Sequence, residues 1–143
     1  MRKLLIFMGL IIFIISGCSN PTIVDDQGLD VIGMQSGIGT IDDSEDFDKQ
    51  KFSYDITLSN KAEMEVKRES VEIVLTDWIK QKQIENIITE LTFDTESIII
   101  KGHVNFDTKG LSKEEIVSHG PFIDGINVIT KTGERIFIKT EFH

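Results

Sequence analysis

Residues 51–60 read KFSYDITLSN, and this stretch decides the fold class. Apolar side chains stand at every second position, at Phe52, Tyr54, Ile56 and Leu58, and polar side chains fill the positions between them. Successive side chains of a β-strand point to opposite faces of its sheet. The alternation therefore predicts a strand with one buried face.

The same alternation continues toward the C-terminus. In residues 69–79 (ESVEIVLTDWI), apolar residues also occur on the second face, at Val74 and Trp78, which predicts a strand covered on both faces near its end. Residues 96–106 (ESIIIKGHVNF) alternate again, and Gly102 within them indicates a bulge or a close contact between neighbouring chains.

Two more strands are predicted at the end of the chain, in residues 125–130 (GINVIT) and 134–142 (ERIFIKTEF). The glycine-containing segment at 131–134 has the length of a hairpin turn. Residues 79–95 fit either a helix or a strand by apolar spacing, and the turn residues at 94–97 favour a strand that enters a hairpin.

One short helix is predicted between the fifth and sixth strands. Ser112 and Glu115 fit a capping box, and Lys113 to His119 make two turns. Gly120 is expected to end the helix in the left-handed conformation, and Pro121 prevents its continuation.

Before residue 51 the pattern is weaker. Leu29, Val31 and Ile32 predict a short edge strand, and the acidic loop DDSEDFD follows at 42–48. Six or seven short strands with turn residues between them and one short crossover helix predict a mainly β, antiparallel sandwich.

The run YDITLSN, followed by a second strand that ends in LTDW, resembles the Ig-like domains of bacterial surface lipoproteins. The resemblance covers about residues 29 to 142 and implies an Ig-like β-sandwich. The sequence lacks the cysteine pair of antibody-type domains, because Cys18 is its single cysteine. The resemblance implies no known site.

The N-terminus has the layout of a secretory signal peptide. Arg2 and Lys3 precede an apolar run at 4–15, and small residues follow it. A helix of twelve residues reaches only about 18 Å, well short of the roughly 30 Å hydrocarbon layer of a membrane. A permanent membrane-spanning helix is therefore the weaker interpretation.

The residues Ile15-Ser16-Gly17-Cys18 resemble the lipobox of bacterial lipoproteins. The resemblance implies cleavage before Cys18 and attachment of a diacylglycerol to its thiol. Two or more fatty-acyl chains, such as palmitate, hold a protein stably on a membrane. The expected organisation is a signal peptide at 1–17, a lipid-anchored flexible tether at 18–28 and the sandwich at 29–143. An ordinary cleaved signal with a chance cysteine is the alternative.

Charge and cysteine content limit the classes of partner. Removing residues 1–17 takes away Arg2 and Lys3, so the formal net charge moves from −9 to −11. An acidic surface argues against nucleic-acid binding, which needs a basic patch, and against lying flat on an anionic membrane. With Cys18 acylated, no disulfide is available to the mature chain.

Candidate metal sites are weak. His103, His119 and His143 are scattered along the chain, which argues against a zinc site. The acidic loop at 42–48 supplies oxygen ligands for calcium but does not match an EF-hand, and a solvated loop is the simpler interpretation. We therefore predict no metal and no cofactor.

Candidate catalytic and binding residues are equally few. Ser118 and His119 are adjacent in sequence, which does not by itself make a catalytic dyad. Trp78, the single tryptophan, is either a core or core-rim residue or an exposed stacking residue, and we favour the structural role.

The sequence thus predicts a non-catalytic binding module of the cell envelope, anchored by lipid on Cys18 at the extracytoplasmic face of the membrane. Its partner is another envelope protein or polymer. The alternative is an envelope-acting hydrolase with an unrecognised carboxylate pair, because the 24 acidic residues allow many such pairs.

Overall fold

The computed structural model describes residues 28–42 and 45–141. This part of the chain contains seven strands, two short α-helices and one 3₁₀ turn. The strands are β1 Asp30–Thr40, β2 Lys49–Ser59, β3 Glu72–Leu75, β4 Gln83–Phe93, β5 Ser97–Asp107, β6 Ile123–Ile129 and β7 Arg135–Lys139. The helices are α1 Asp77–Lys82 and α2 Lys113–Ser118, and the 3₁₀ turn is Arg68–Ser70.

The strands form two antiparallel sheets. One sheet has the order β1-β2-β5-β4 and the other the order β3-β6-β7. If the strands are lettered A to G along the chain, these orders read ABED and CFG, which is the strand arrangement of constant-type immunoglobulin domains. The predicted mainly β, antiparallel Ig-like sandwich is confirmed.

The two sheets share one core. The predicted inward side chains of β2 are buried, with Ile56 and Leu58 fully so, and they pack in a single apolar cluster with residues of the other sheet such as Ile126 and Val128. Burying one such side chain contributes about 1.5–3 kcal/mol. The sequence alternation at 51–60 therefore identifies the face that holds the sandwich together.

The first strand is an edge strand, as predicted, but it is eleven residues long rather than short. Its register against β2 shifts between Val31 and Gly33, so Ile32 is the extra residue of a bulge and is 64% exposed. Because side chains alternate along a strand, one extra residue exchanges the inward and outward positions. Val31 packs on the core before the bulge, and Met34 and Ile38 pack on it afterwards.

Residues 83–93 form β4, so the strand interpretation of the ambiguous segment is confirmed for these residues, whereas 79–82 belong to α1. The close contact predicted at Gly102 is also present. A Cβ atom at this position would collide with the carbonyl oxygen of Ile87 and the hydroxyl of Tyr54. The Tyr54 hydroxyl donates a hydrogen bond to that carbonyl at 3.4 Å, across the bare backbone of Gly102.

Two local predictions are wrong. The third strand ends at Leu75, and Trp78 lies in α1, so a second helix exists beside the single predicted one. Asp77 places an acid in the first turn, where it suits the helix dipole, and the turn that follows buries Ile79 completely. The second error concerns Gly120, which is not among the described glycines with positive φ.

The helix α2 itself is confirmed, as is its capping box. The backbone N–H of Glu115 donates to the Ser112 hydroxyl at 3.2 Å, and the backbone N–H of Ser112 donates to the Glu115 carboxylate at 2.7 Å. The helix ends at Ser118, and His119 follows with right-handed backbone angles, so no left-handed stop is needed.

The connections divide between the two ends of the sandwich. Three connections lie together at one end of the sandwich, which we call the helix end. They are the loop 41–48, α1 and α2, and the strand ends that they join are neighbours in the sheets. The first described residue, Gly28, lies at the opposite end, beside the connections 60–71, 94–96 and 130–134. The chain therefore enters the sandwich at the end away from both helices.

Candidate functional site

An apolar groove lies at the helix end, between the second half of β1 and α2. It consists of two adjoining cavities of about 470 and 430 Å³, and Ile38, Lys113 and Val117 line both. The first cavity is completed mainly by Met34, Phe52, Pro121 and Phe122, and the second by Phe47, Leu111 and Ile116. We refer to the two cavities together as the groove.

The bulge at Ile32 creates the strand wall of the groove, because it turns Met34, Ser36 and Ile38 toward the interior. Gly37 and Gly39 flank Ile38, and a Cβ atom added to either would meet nothing within 4 Å. Core packing therefore does not require glycine at these positions. Glycine within a strand often marks a place where a ligand or another backbone approaches closely.

The helix wall depends on α2. Ile116 is buried and fixes the helix to the core, which leaves the next residue, Val117, 59% exposed beside the groove. Phe47 is 68% exposed at the other side of the second cavity. Large apolar side chains that stay exposed around a cavity are typical of binding surfaces.

Among the described residues, one charged side chain lines the groove. It is Lys113, which borders both cavities and forms no ion pair with a described acidic residue. This is notable in a chain with 24 acidic residues and a net charge of −9. The groove combines an apolar lining with one cation.

Trp78 lies near the groove but does not line it. Its ring stacks on the His119 imidazole, with 4.3 Å between ring centroids and 12° between planes, and it also contacts Phe122 at 5.7 Å. Trp78 is half-buried against the core. The structure thus places it at the core rim, as the structural interpretation predicts, with His119 covering part of its ring.

The residues considered for catalysis are not arranged for it. The Ser118 hydroxyl donates to the Glu115 carbonyl at 2.7 Å, so it caps the last helical turn instead of facing His119. Two smaller cavities on the three-stranded sheet have volumes of about 190 and 300 Å³. Among the described residues that line each of them, Glu72 is the only acid. Neither these cavities nor the groove contains a carboxylate pair from the described residues.

Metal ligands are not brought together within residues 28–42 and 45–141, where no group of three or more His, Cys, Asp or Glu side chains could hold an ion. His103 lies on β5, opposite Ser53 and Ile87. In the acidic loop, the Asp46 carboxylate accepts a hydrogen bond from the Asp48 backbone at 2.9 Å. His143 and two residues of the loop, at 43 and 44, lie outside the described residues.

No protein-family model, curated protein or solved structure matches this chain. The signal peptide at 1–17, the lipidation residue Cys18 and all but the last residue of the tether lie outside the described residues and stay predictions. In the part that the structure describes, neither helix has the length or the apolar character needed to cross a bilayer.

The groove was not predicted from the sequence. The signal that could have found it is the segment 31–41 (VIGMQSGIGTI), which contains no charged residue and three glycines in a predicted edge region. Edge strands usually carry charges or proline that prevent pairing with other chains. The absence of both in an acidic protein is unusual and points to this edge.

Proposed function

We propose that this protein is a membrane-anchored lipoprotein at the extracytoplasmic face of a bacterial envelope, and that its sandwich is a non-catalytic binding module. The observation that supports binding is the groove, whose described lining is apolar and includes one cation, Lys113, and no acidic residue. A hydrolase that cleaves glycans or peptides with two carboxylates needs acids in its cleft, so this lining favours binding.

The position of the groove fits an anchored module. Gly28 lies at the end of the sandwich opposite the helix end, and the proposed lipid on Cys18 is ten residues upstream of it. A flexible tether of that length spans roughly 17 Å. The eleven residues of β2 add about 36 Å between the two ends. The groove would therefore open away from the bilayer, toward the rest of the envelope.

Site-specific photocrosslinking in cells tests the binding role. A photoreactive benzoylphenylalanine at position 117 should give a discrete adduct, because this side chain lies at the groove. The same group at position 84 is the matched control, since Ile84 is similarly exposed (54%) but lies on β4, away from the groove. Adducts of equal yield at both positions, or none at position 117, would contradict the proposal.

The anchor is tested separately by mass spectrometry of the protein purified from membranes. We expect an acylated Cys18 as the first residue, and a Cys18→Ser variant that carries no acyl chain at this position. An intact leader with a free thiol would refute the anchor without affecting the groove.

A further inference from the structure

We propose that the occupant of the groove is an extended polypeptide segment of a partner protein. The segment adds as a strand to the free edge of β1, directs apolar side chains into the groove and places a carboxylate at Lys113. This inference rests on the proposed binding function and specifies its partner class.

The outer edge of β1 is the place where a partner segment would pair with the sheet. Within the described residues, no backbone hydrogen bond joins the outer edge of β1 to another element. After the bulge, residues 33–40 pair one by one with residues 57–50 of β2, so the edge is regular over eight residues. A regular edge without backbone hydrogen-bond partners presents the N–H and C=O groups that another strand needs.

The opposite edge of the same sheet provides an internal comparison. The other edge strand, β4, carries Glu85 and Glu90 and has register shifts at two places, between Gln83 and Glu85 and between Ile88 and Glu90. Charges and bulges are the usual protection of an edge against pairing. Residues 33–40 of β1 carry no charge, no proline and no register shift, so this stretch lacks the protection that β4 has.

An added strand would point every second side chain toward the groove. Alternate side chains of a strand face the same side of the sheet, about 6.8 Å apart. On the inner side of β1, Ser36 and Ile38 face the groove, and Phe122 and Val117 lie across it. Side chains on the inner face of an added strand would enter the groove, where apolar residues are favoured.

The charge of Lys113 indicates which group the partner segment should carry. A partner that places a carboxylate near Lys113 would pair the one cation of the groove, and the carboxylate belongs to an Asp or Glu side chain or to a chain terminus. A second copy of this protein fits less well through the same edge, because residues 31–40 contain no acid to meet Lys113 and both copies are strongly acidic.

The probe is a phage-displayed library of random twelve-residue peptides, selected on the full-length protein in detergent micelles. Enriched peptides should carry apolar residues at every second position. They should also contain an acid or a free C-terminus at a fixed distance in sequence from these apolar residues. Lys113→Glu should weaken their binding at least tenfold. Lys109→Glu is the matched control, because Lys109 precedes α2 but does not line the groove, and it should change the affinity less than twofold.

Strand addition has a specific signature. A strand donates hydrogen bonds to a neighbour only through alternate amides. Two versions of the best peptide, N-methylated at odd or at even residues, should therefore differ at least tenfold in affinity. The unmodified peptide should also slow amide hydrogen exchange in residues 33–40, measured by NMR.

The outcomes separate this inference from the proposed function. Peptides that protect α2 but not β1, or that bind equally well in both methylated versions, would overturn strand addition while the groove stays a binding site. A library without binders, saturable binding of oleate in the groove, or a dimer through β1 in sedimentation would also overturn it. The absence of a photocrosslinked adduct at position 117 in cells would contradict the proposed binding function itself.

Discussion

At the residue scale, Gly102 of β5 lies between Tyr54 of β2 and Ile88 of β4. Gly102→Ala places a methyl group against the Ile87 carbonyl and the Tyr54 hydroxyl, so we expect the free energy of unfolding to fall by about 1–3 kcal/mol. Gly37→Ala is the control, because a methyl group there meets nothing within 4 Å. Urea denaturation measures both variants, and equal effects would contradict the assigned contact.

Tyr54 gives a second test at this scale. Burial raises the pKa of its hydroxyl from 10.0 to about 12, because the phenolate loses hydration in the core. The neutral form therefore stabilises the fold below pH 10, and this contribution is lost as the pH rises from 10 to 12. Tyr54 is the single tyrosine, so absorbance titration at 295 nm reports its ionisation alone.

The control for this titration is Tyr54→Phe. It removes the ionising group, so the loss of stability between pH 10 and 12 should be smaller in this variant than in the parent protein. A midpoint near pH 10 in the folded parent protein would show that the hydroxyl is not held in the core.

At the scale of elements, the helix wall of the groove depends on its cap. Ser112→Ala removes the acceptor for the Glu115 backbone N–H, so we expect a loss of about 1 kcal/mol in the free energy of unfolding. Ser112→Asp keeps an acceptor and should restore most of it. Urea denaturation measures the stability, and hydrogen exchange within 113–118 shows whether the loss is confined to α2.

The pH dependence of the cap has a defined sign. The hydrogen bond from the Ser112 backbone lowers the pKa of the Glu115 carboxyl below its usual value. Its contribution is therefore present above the usual pKa of glutamate and is lost as the pH falls through the lowered value. NMR titration of this carboxyl in the parent protein should show the lowered pKa, and an ordinary value would contradict the assigned bond.

The sequence predicts those elements whose own pattern is long enough to identify them. β2 alternates from Phe52 to Leu58 and β5 has inward positions from Ile98 to Phe106, and the capping residues of α2 are specific. The helix α1 was missed because its six residues follow the apolar run of β3 without a break in periodicity. The length of β1 was missed because the bulge at Ile32 breaks the alternation from which a strand is recognised.

At the scale of the whole molecule, the groove could not be predicted because it joins residues distant in sequence. Met34 and Ile38 come from the first strand, and Val117 and Phe122 come from the connection between the fifth and sixth strands. They meet only because the ABED and CFG sheets pack with β1 at an edge. Sequence periodicity identifies which face of each strand is buried, but not which loop covers the end of a sheet.

The proposed lipid anchor leads to a prediction about the orientation of the domain on a membrane. Cys18 is the only cysteine, so a single introduced cysteine can be labelled once Cys18 carries lipid. Thr95→Cys reports on the end beside Gly28, and Val117→Cys reports on the groove. Both residues are exposed, so labels at the two sites are accessible in the same way.

With the protein in vesicles that contain nitroxide-labelled headgroups, fluorescence of the Thr95 label should be quenched more than that of the Val117 label. The proposed tether at 18–28 would let the end beside Gly28 reach the membrane surface, whereas the sandwich, about 36 Å long along β2, would hold the groove farther away. Equal quenching would mean that the domain lies on its side. Stronger quenching at Val117 would mean that the apolar groove faces the lipid, and a membrane surface rather than a partner strand would then cover β1.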